Sequence, residues 1–474
     1  MYYLYIIYLM DIPIVIVCYN NYRYVKNTLS QILRINKDYY KNIIILNNTS
    51  TCLDTIEYLK NLVDVRVINN TGNFGPWITP DNNTHIYNTL PDKFILTDPD
   101  LKLNKDIPSN FIEILANLSE KHKTAKIGLG LDISDHKQFY ITTHCPGNVS
   151  IYEWEKRFWE NKIDDDEYEL YNADIDTTFC LINKTNISNS CDLKIRVGGN
   201  FTAKHIPWYR DNELYNVYDN YNNNINTTHI STMAKIIREY IESSYLRINK
   251  NSEFFFIENN INNPNLSFWK DTYSNWENET FDVFDKYLSK DKVFIDIGGW
   301  IATTSMYGSR KSKHIYTVEA DNDAFNDMES NLKANCDNNY TLINKAIYNI
   351  DDAKVNFGKN FRCSTSKMND SGSQIYPEGV ISDEYYVVET ITLETIIKKY
   401  EIDVSNISLI KVDIEGGEEN ILNDLYDIHV RFNVPLYVSF HYCWWKDTNL
   451  DRFPYLSEHV KNAIIANPFV SVLF

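Results

Sequence analysis

Positive charge is scarce in this sequence, with 46 lysines and arginines against 64 aspartates and glutamates among 474 residues. The formal net charge of -18 argues against a nucleic-acid backbone or an anionic membrane as the main partner, because both are themselves negatively charged. An acidic protein that handles an anionic small molecule needs a metal ion or a local group of cations to do so.

The sequence also lacks paired cysteines and long apolar runs. Its eight cysteines are scattered without the spacing of a zinc site or a disulfide framework, so we expect a reducing, cytoplasmic compartment. The opening MYYLYIIYLM is too short to span a bilayer and has neither the basic flank nor the cleavage site of a signal peptide. We expect an extension packed beside the first strand and no integral membrane segment, with a peripheral membrane contact as the alternative.

The length of the chain predicts two or three domains, on a prior of roughly 150 residues per domain. Residues 211–228 lack apolar periodicity and are rich in asparagine and tyrosine. We therefore predict a first domain over residues 1–212, a linker over 213–228 and a second domain over 229–474.

Short apolar runs alternate with helical patterns in the first domain. The runs lie at 12–20, 42–48, 65–70 and 93–100, and the alternation predicts an α/β fold of the Rossmann type. No G-x-G-x-x-G follows the first run, which counts against a dinucleotide site in this half.

The segment KFILTDPDLKL, residues 93–103, is typical of a buried strand that ends in two carboxylates, Asp98 and Asp100. Residues i and i+2 of an extended segment point the same way, and Pro99 stiffens the bend between them. Both carboxylates can therefore face one hard cation at the carboxyl edge of the sheet, where open α/β sheets bind ligands. A turn that only ends the strand is the alternative, because Asp-Pro-Asp also favours turns.

Four segments of the first domain, PIVIVCYN, IIILNNTS, NTGNFGPW and ILTDPD, resemble the GT-A-fold glycosyltransferases, especially those similar to family 2. The resemblance implies that Tyr19, Asn47 and Asn73 contact a nucleotide sugar. It also implies that Asp98 and Asp100 bind Mn²⁺ or Mg²⁺, which neutralises the leaving diphosphate. Asn47 and Asn48 stand where many members carry acidic residues, so the identity of the nucleotide base stays open.

Two later segments extend this resemblance towards the acceptor. In YNADIDTTFCLIN, Asp176 is expected to deprotonate the acceptor hydroxyl, with Asp174 as the alternative base and a capping role as the alternative for either. In GGNFTAKHIPWY, His205 is expected to complete the metal site, or else to be structural. Trp208 and Tyr209 are candidates for stacking on a sugar ring.

The second domain contains a nucleoside-binding pattern. KVFIDIGGWIATTSMYG is typical of a strand entering a glycine-rich turn, and HIYTVEAD ends a second strand on Glu319, about twenty residues later. The glycines let the backbone approach a ligand, and the acid accepts hydrogen bonds from ribose hydroxyls. An NAD site is the alternative, but Asp296 at the strand end favours a cationic cofactor over a pyrophosphate.

From about Trp269 to the end, the chain resembles the FkbM-type methyltransferases, which use S-adenosylmethionine. The resemblance is carried by VFIDIGGWIATTS, IYTVEAD, NKAIYN, VETITLETII and SLIKVDIEGGEENIL. It implies that Asp296, Gly298 and Glu319 contact the cofactor. Ala302 stands where the family pattern usually has glycine.

Methyl transfer requires alignment of the acceptor oxygen and removal of its proton. Asp413, Glu415 and His441 are the candidate residues, and the sequence does not rank them. The two halves together predict a bifunctional enzyme that transfers a sugar from a nucleotide sugar to a glycan acceptor and O-methylates a sugar hydroxyl. The alternative is an active methyltransferase whose first domain is a non-catalytic glycan-binding or docking module.

Overall fold

The structure is a computed structural model that describes residues 12–143, 145–187, 193–225, 232–360, 370–376 and 385–474. The chain forms two compact units, one of Met1–Tyr215 and Asn220–Tyr240 and the other of Asn216–Asp219 and Ile241–Phe474. The extension predicted at residues 1–10 lies outside the described residues. Among the helices of the described ranges, none has the length and apolarity needed to cross a membrane.

The N-terminal unit is built on one mixed sheet flanked by helices. Its strands are β1 (Ile14–Cys18), β2 (Ile43–Asn47), β3 (Arg66–Asn69), β4 (Lys93–Thr97), β5 (Leu101–Leu103), β6 (Lys126–Leu131), β7 (Lys162–Ile163), β8 (Leu170–Asn172), β9 (Cys180–Asn183) and β10 (Lys194–His205). Its helices are α1 (Tyr22–Ile35), α2 (Lys37–Tyr40), α3 (Leu53–Lys60), α4 (Thr84–Tyr87), α5 (Phe111–Lys121) and α6 (Ile151–Lys156).

The strand order is β3-β2-β1-β4-β9-β6-β10-β8-β7, and β5 pairs with β10. β3, β2, β1 and β4 run parallel, as the alternation of apolar runs and helical patterns predicts. All five residues of β1 are buried, which explains why this strand is continuously apolar. The carboxyl ends of these four strands therefore meet at one edge of the sheet.

The segment predicted as a linker is partly helical. Helix α7 (Val217–Ile225) lies inside the predicted range 213–228, and helix α8 (Thr232–Ser244) follows, where an amphipathic helix is predicted. Tyr215 and Tyr221 are buried, so tyrosine packing supplies apolar contacts that a search for aliphatic periodicity overlooks. The domain boundaries themselves stay a prediction.

The C-terminal unit contains a second parallel sheet, a smaller sheet and a hairpin. Its strands are β11 (Tyr245–Lys250), β12 (Glu253–Glu258), β13 (Val293–Ile297), β14 (His314–Val318), β15 (Tyr340–Ile343), β16 (Ala346–Ile347), β17 (Lys354–Gly358), β18 (Gln374–Ile375), β19 (Tyr385–Ile391), β20 (Ile407–Val412), β21 (Leu436–His441) and β22 (Phe469–Leu473). Its helices are α9 (Asn278–Tyr287), α10 (Ser305–Lys311), α11 (Asn322–Asn335), α12 (Leu393–Lys399), α13 (Glu418–Phe432) and α14 (Glu458–Ala466).

The main sheet of this unit has the order β15-β14-β13-β20-β21-β22, and its strands are parallel except for β22. The order changes direction at β13, because the chain continues outward to β14 on one side and returns to β20 on the other. Ligands bind at such switch points, outside the carboxyl ends of the strands. The predicted fold class, α/β with two Rossmann-like units, is confirmed.

Candidate active sites

In the N-terminal unit, the Asp-Pro-Asp turn that follows β4 is held in place by helix α1. The Thr28 hydroxyl donates to the Pro99 carbonyl at 2.5 Å, and the Gln31 amide donates to the Leu101 carbonyl at 2.9 Å. Both polar side chains are buried on α1. Because this turn carries Asp98 and Asp100, α1 fixes the position of the predicted metal ligands.

The structure brings Asp98, Asp100 and His205 to one place. The antiparallel pairing of β10 with β5 sets His205 opposite Leu101, and His205 Nε2 lies 3.4 Å from Asp100 Oδ2. Burial lowers the pKa of His205, but Asp100 and Asp98 outweigh it and raise the pKa above its usual value. Burial and repulsion from Asp100 raise the pKa of Asp98 to about 8.

Asp100 and His205 each present an atom that suits a divalent cation, although the trio that they form with Asp98 is less compact than 4.8 Å. Asp100 Oδ1 and His205 Nδ1 are buried without a hydrogen-bond partner among the described residues, so each has a lone pair or proton left unsatisfied. Carboxylate oxygens and an imidazole are suitable ligands for Mn²⁺. Asp98, Asp100 and His205 are therefore the residues that would hold the ion.

The two candidate bases differ in their surroundings. Asp176 accepts from the Thr177 amide at 2.9 Å, and the Thr177 hydroxyl donates to Asp98, so Asp176 lies beside the predicted metal ligands. Asp174 instead forms an ion pair with Lys194 at 2.7 Å, and its side chain is 75% exposed. This geometry favours Asp176 over Asp174 as the base.

The side chains of two of the three predicted nucleotide contacts already form hydrogen bonds within the protein. Asn47 donates to Asn69 Oδ1 at 2.9 Å and accepts from the Ser50 amide at 3.0 Å. Asn73 is exposed and accepts from the Gly75 amide at 3.0 Å, which shapes its own turn. Tyr19 is partly buried just after β1. Their roles as nucleotide contacts stay predictions.

Trp208 and Tyr209, which are predicted to stack on a sugar ring, lie in a packed aromatic group. Both side chains are buried and pack edge-on against Phe139, at ring-centre distances of 5.4 and 5.0 Å. The Tyr209 hydroxyl also donates to Asp135 at 2.6 Å. These contacts cover much of both rings, but Tyr209 also lines a cavity with Asp135 and Lys204 among others, so stacking on a sugar ring stays a prediction.

In the C-terminal unit, the turn after β13 has no room for a side chain at its first glycine. Gly298 adopts φ +81°, and a Cβ on it would lie 1.8 Å from the Asp413 carbonyl oxygen. The Gly298 amide donates to the Val318 carbonyl at 2.9 Å. The turn is thus fixed between β14 and the end of β20, and only glycine fits there.

Asp296 is oriented into the protein, away from the role that sequence alone assigns to it. Its carboxylate is fully buried, accepts from the Thr304 and Ser305 hydroxyls at 2.8 and 2.6 Å, and lies 3.4 Å from Lys411 Nζ. Lys411 Nζ also lies 3.6 Å from Asp413. Burial lowers the pKa of Lys411, but the two carboxylates outweigh it and hold the pKa above its usual value. Asp296 therefore stabilises the turn from inside the protein, through its hydrogen bonds to the two hydroxyls.

Glu319 lies at the end of β14, where the spacing predicts it. Its two oxygens accept from the Trp300 amide at 2.8 Å and the Asp321 amide at 2.7 Å. Burial raises the pKa of Glu319 to about 7. Both backbone donors hold the carboxylate beside the glycine turn, and its remaining lone pairs are available to ribose hydroxyls.

Ala302 occupies the left-handed region, with φ +74°, and its side chain is fully buried. An L-residue pays a conformational cost there that glycine avoids. This explains why the family pattern usually has glycine at this position. The structure keeps the turn of that pattern with alanine in place.

Two cavities adjoin at the carboxyl edge of this sheet. The first, which we call the cofactor cleft, is lined by Gly298, Glu319, Asp321, Ile347 and Phe357 among others. The second, the acceptor cavity, is lined by Trp276, Glu277, Lys411, Ser439 and Phe469 among others. Gly298, Trp300, Ser371, Asp413 and Glu415 line both. A mixed apolar and acidic cleft fits an aromatic base, a ribose and a cationic sulfur.

Asp413, Glu415 and His441 come together on the wall of the acceptor cavity. His441 Nε2 lies 3.4 Å from Glu415 and 3.7 Å from Asp413. His441 Nδ1 lies 2.9 Å from Glu418, which is buried and also accepts from the Trp445 indole at 3.0 Å. Glu418 is not identified from the sequence as part of this group. The signal that could have found it is an acidic residue at the start of a helix, three residues after Glu415.

The electrostatics of this group are strongly coupled. Burial lowers the pKa of His441, but Glu418, Glu415 and Asp413 outweigh it and raise the pKa to about 10. Burial raises the pKa of Glu415 to about 9, with Asp413 and Glu418 adding to the effect and His441 opposing it. The members of the group therefore share protons among themselves, and the group can give a proton to a ligand or take one from it.

Comparison with known families supports the resemblance found in the second half. Residues 296–460 match the family model of the methyltransferase FkbM domain. Among curated proteins, none matches this chain.

Solved structures give more distant similarities. Methyltransferase FkbM from Methylobacillus flagellatus is 16% identical over 35% of this chain and 37% of its own, with a TM-score of 0.24. S. aureus TarS in complex with UDP-GlcNAc is 17% identical over 26% of this chain and 34% of its own, with a TM-score of 0.20. The chain thus spans about a third of the length of these two proteins.

The mannosyltransferase PcManGT from Pyrobaculum calidifontis, in complex with GDP-Man and Mn²⁺, is 8% identical over 48% of this chain and 68% of its own, with a TM-score of 0.28. The solved structures that this chain resembles thus include both an FkbM methyltransferase and glycosyltransferases. Within the C-terminal unit, residues 296–460 are thus similar to the methyltransferase FkbM domain.

Proposed function

We propose that the C-terminal unit transfers a methyl group from S-adenosylmethionine to a hydroxyl of a sugar. The observation that carries this proposal is the shared wall of the two cavities: Gly298, Asp413 and Glu415 line both the cofactor cleft and the acceptor cavity. A donor in one cavity and an acceptor in the other would meet at that wall, which is the alignment that methyl transfer requires.

Each residue at this wall has a defined task in the proposal. Gly298 lets the backbone approach the cofactor, and Glu319 accepts from its ribose hydroxyls. When bound, S-adenosylmethionine supplies the methyl group. Asp413, Glu415 and His441 orient the acceptor hydroxyl and accept its proton, and the two carboxylates complement the positive charge of the donor.

We expect Glu319→Ala to weaken the binding of S-adenosylhomocysteine, the demethylated product, by at least tenfold. Charge-assisted hydrogen bonds are worth roughly 1.5 to 3 kcal/mol, which corresponds to at least a factor of ten in affinity. Calorimetry on the full chain measures this. Glu258→Ala, which removes an exposed acid at the end of β12, is the control and should leave the affinity unchanged. Equal affinity of all three proteins would refute the assignment.

For the N-terminal unit we propose metal-dependent sugar transfer from a nucleotide sugar to a glycan. The supporting observation is the convergence of Asp98, Asp100 and His205 at the strand edge, with unsatisfied atoms on Asp100 and His205. When bound, Mn²⁺ or Mg²⁺ neutralises the leaving diphosphate. Helix α1 keeps the two aspartates in place through Thr28 and Gln31.

We expect Asp98→Asn and Asp100→Asn each to abolish the Mn²⁺-dependent thermal stabilisation that nucleoside diphosphates confer on the protein. A ligand at 100 times its dissociation constant stabilises a protein by about 2.7 kcal/mol, so the loss is measurable in a melting curve. Asp92→Asn, at the exposed opposite end of β4, is the matched control. If no diphosphate stabilises the unaltered chain, the N-terminal unit is a glycan-binding or docking module instead.

We expect Asp176→Asn to lower sugar transfer by about 10² to 10⁴ while diphosphate binding stays intact, which is the usual size of a general-base contribution. Asp174→Asn should lower transfer less than twofold, because Asp174 is exposed and paired with Lys194. The measurement is initial transfer rate at saturating donor. The reverse pattern would move the base to Asp174.

A further inference from the structure

We propose that Asp413, Glu415 and His441 form a second divalent-cation site, for an ion of the Mn²⁺ or Mg²⁺ class, on the wall of the acceptor cavity. The inference deepens the proposed methyl transfer and rests on it for the role of the ion. The site itself is argued from the geometry of the three side chains.

The spacing of the three side chains suits one ion. One ligand atom from each of Asp413, Glu415 and His441 lies within 4.8 Å of the other two. Adjacent ligands at about 2.1 Å from an octahedral ion are about 3 Å apart, and opposite ligands about 4.2 Å. No other trio of such side chains in the described ranges is this compact, Asp98, Asp100 and His205 included.

His441 is oriented as a metal-binding histidine. It is 9% exposed, and its Nδ1 faces the buried carboxylate of Glu418 at 2.9 Å, which keeps a proton on that nitrogen. Nε2 therefore remains as the nitrogen for an ion, and it points towards Asp413 and Glu415. A carboxylate behind the imidazole is the usual support of a histidine ligand, because it fixes the tautomer and the ring.

Glu415 supplies a second observation. Its Oε2 is buried and accepts no hydrogen bond from the described residues, and the same oxygen lies 3.4 Å from His441 Nε2. The residue adopts φ +53°, in the left-handed region, and Gly416 follows at φ +96°, so the backbone turns at a cost to place this side chain in the cavity. A bound cation would satisfy the unpartnered oxygen.

The balance of charge also favours a cation. Asp413, Glu415 and Glu277 line the cavity, and the lysine there, Lys411, is shared between the buried Asp296 at 3.4 Å and Asp413 at 3.6 Å. An added divalent ion would offset the excess negative charge. It would also leave the acceptor cavity suited to a polyhydroxyl ligand, since two neighbouring sugar hydroxyls can complete an octahedral shell.

Bound there, an ion would lower the pKa of the acceptor hydroxyl, as metals do for bound water. The hydroxyl would then lose its proton to solvent, because the three side chains would hold the ion instead of accepting the proton, and its oxygen would form a bond to the methyl carbon. The bond from that carbon to the sulfonium sulfur would break, and its electron pair would stay on sulfur, which becomes a neutral thioether. No oxidant or other reactant is consumed.

The test measures Mn²⁺ binding directly, by electron paramagnetic resonance, in the full chain carrying Asp98→Asn and Asp100→Asn to silence the other candidate site. We expect one bound ion per chain. Glu415→Gln and His441→Ala, each added to that chain, should weaken it at least tenfold. Glu277→Gln is the matched control, because Glu277 lines the same cavity outside the group; it should change affinity less than threefold.

Three outcomes would overturn the proposal. The first is no bound ion in the chain with both N-terminal substitutions, and the second is a Glu415→Gln variant that binds Mn²⁺ as tightly as that chain. The third is a Glu277→Gln variant that weakens Mn²⁺ binding as much as Glu415→Gln does, which would indicate diffuse attraction to an acidic cavity. Circular dichroism checks that each variant is folded. Calorimetry with S-adenosylhomocysteine separates the two ideas. If S-adenosylhomocysteine binds and no ion does, only the metal site is refuted. If an ion binds and S-adenosylhomocysteine does not, the proposed methyl transfer is refuted.

Discussion

Replacing Lys411 by methionine is expected to destabilise the C-terminal unit by about 3 to 5 kcal/mol, because the substitution leaves a buried charge without its partner. Lys411 is 2% exposed and lies 3.4 Å from the fully buried Asp296. Methionine has a similar shape, so the loss comes from charge rather than from a cavity. Amide hydrogen exchange of β13 and β20 in the full chain measures the change.

Two comparisons make this prediction specific. Adding Asp296→Asn to Lys411→Met should recover part of the stability, because the double change removes both charges, so the two effects are not additive. Lys311→Met is the control. Lys311 is partly exposed and pairs with Asp285 at 3.1 Å, so its loss should cost no more than about 1 kcal/mol. Equal losses at the two lysines would contradict the buried-charge account.

Gly298→Ala is expected to weaken the binding of S-adenosylhomocysteine by at least 10²-fold. A methyl group there would lie 1.8 Å from the Asp413 carbonyl oxygen, so the turn or the end of β20 must move. A misplacement of about 1 Å costs about 10²-fold in rate at an active site, and we expect a comparable loss of cofactor affinity here. Calorimetry on the full chain is the measurement.

The chain offers a matched control for this substitution. Gly147 has a similar left-handed backbone, with φ +88°, but nothing lies within 4 Å of a Cβ placed there. Gly147→Ala should therefore show only the conformational cost of about 1 to 2 kcal/mol and unchanged cofactor affinity. If Gly298→Ala behaved like Gly147→Ala, close packing of the turn would not be what binding requires.

The strand ends could be predicted from the sequence, because continuous apolar runs mark buried parallel strands and polar residues mark where they stop. That is how Asp98, Glu319 and Asp413 are found at the edges of their sheets. The spacing of glycines and acid also places Gly298 beside Glu319. These signals are local in the sequence. They predict which residues lie close together because parallel strands end at the same edge of a sheet.

The partners that fix these residues could not be predicted, because they come from distant parts of the chain. Gln31 supports the Asp-Pro-Asp turn from 70 residues away, and Glu418 orients His441 across 23 residues. Lys411 offers a signal: a charged residue within an apolar strand must be paired if it is buried. Tyr209 shows where the sequence is ambiguous, because an aromatic residue can either pack in a core or stack on a ligand, and Tyr209 is buried in the structure.

The left-handed alanine at position 302 has only a small cost in stability. Alanine there costs about 1 to 2 kcal/mol of backbone strain, while its buried methyl group contributes about 0.8 kcal/mol of burial. The two effects largely offset each other, so glycine and alanine differ by no more than about 1 kcal/mol in stability at this position. The turn can therefore contain either residue without a large change in the stability of the unit.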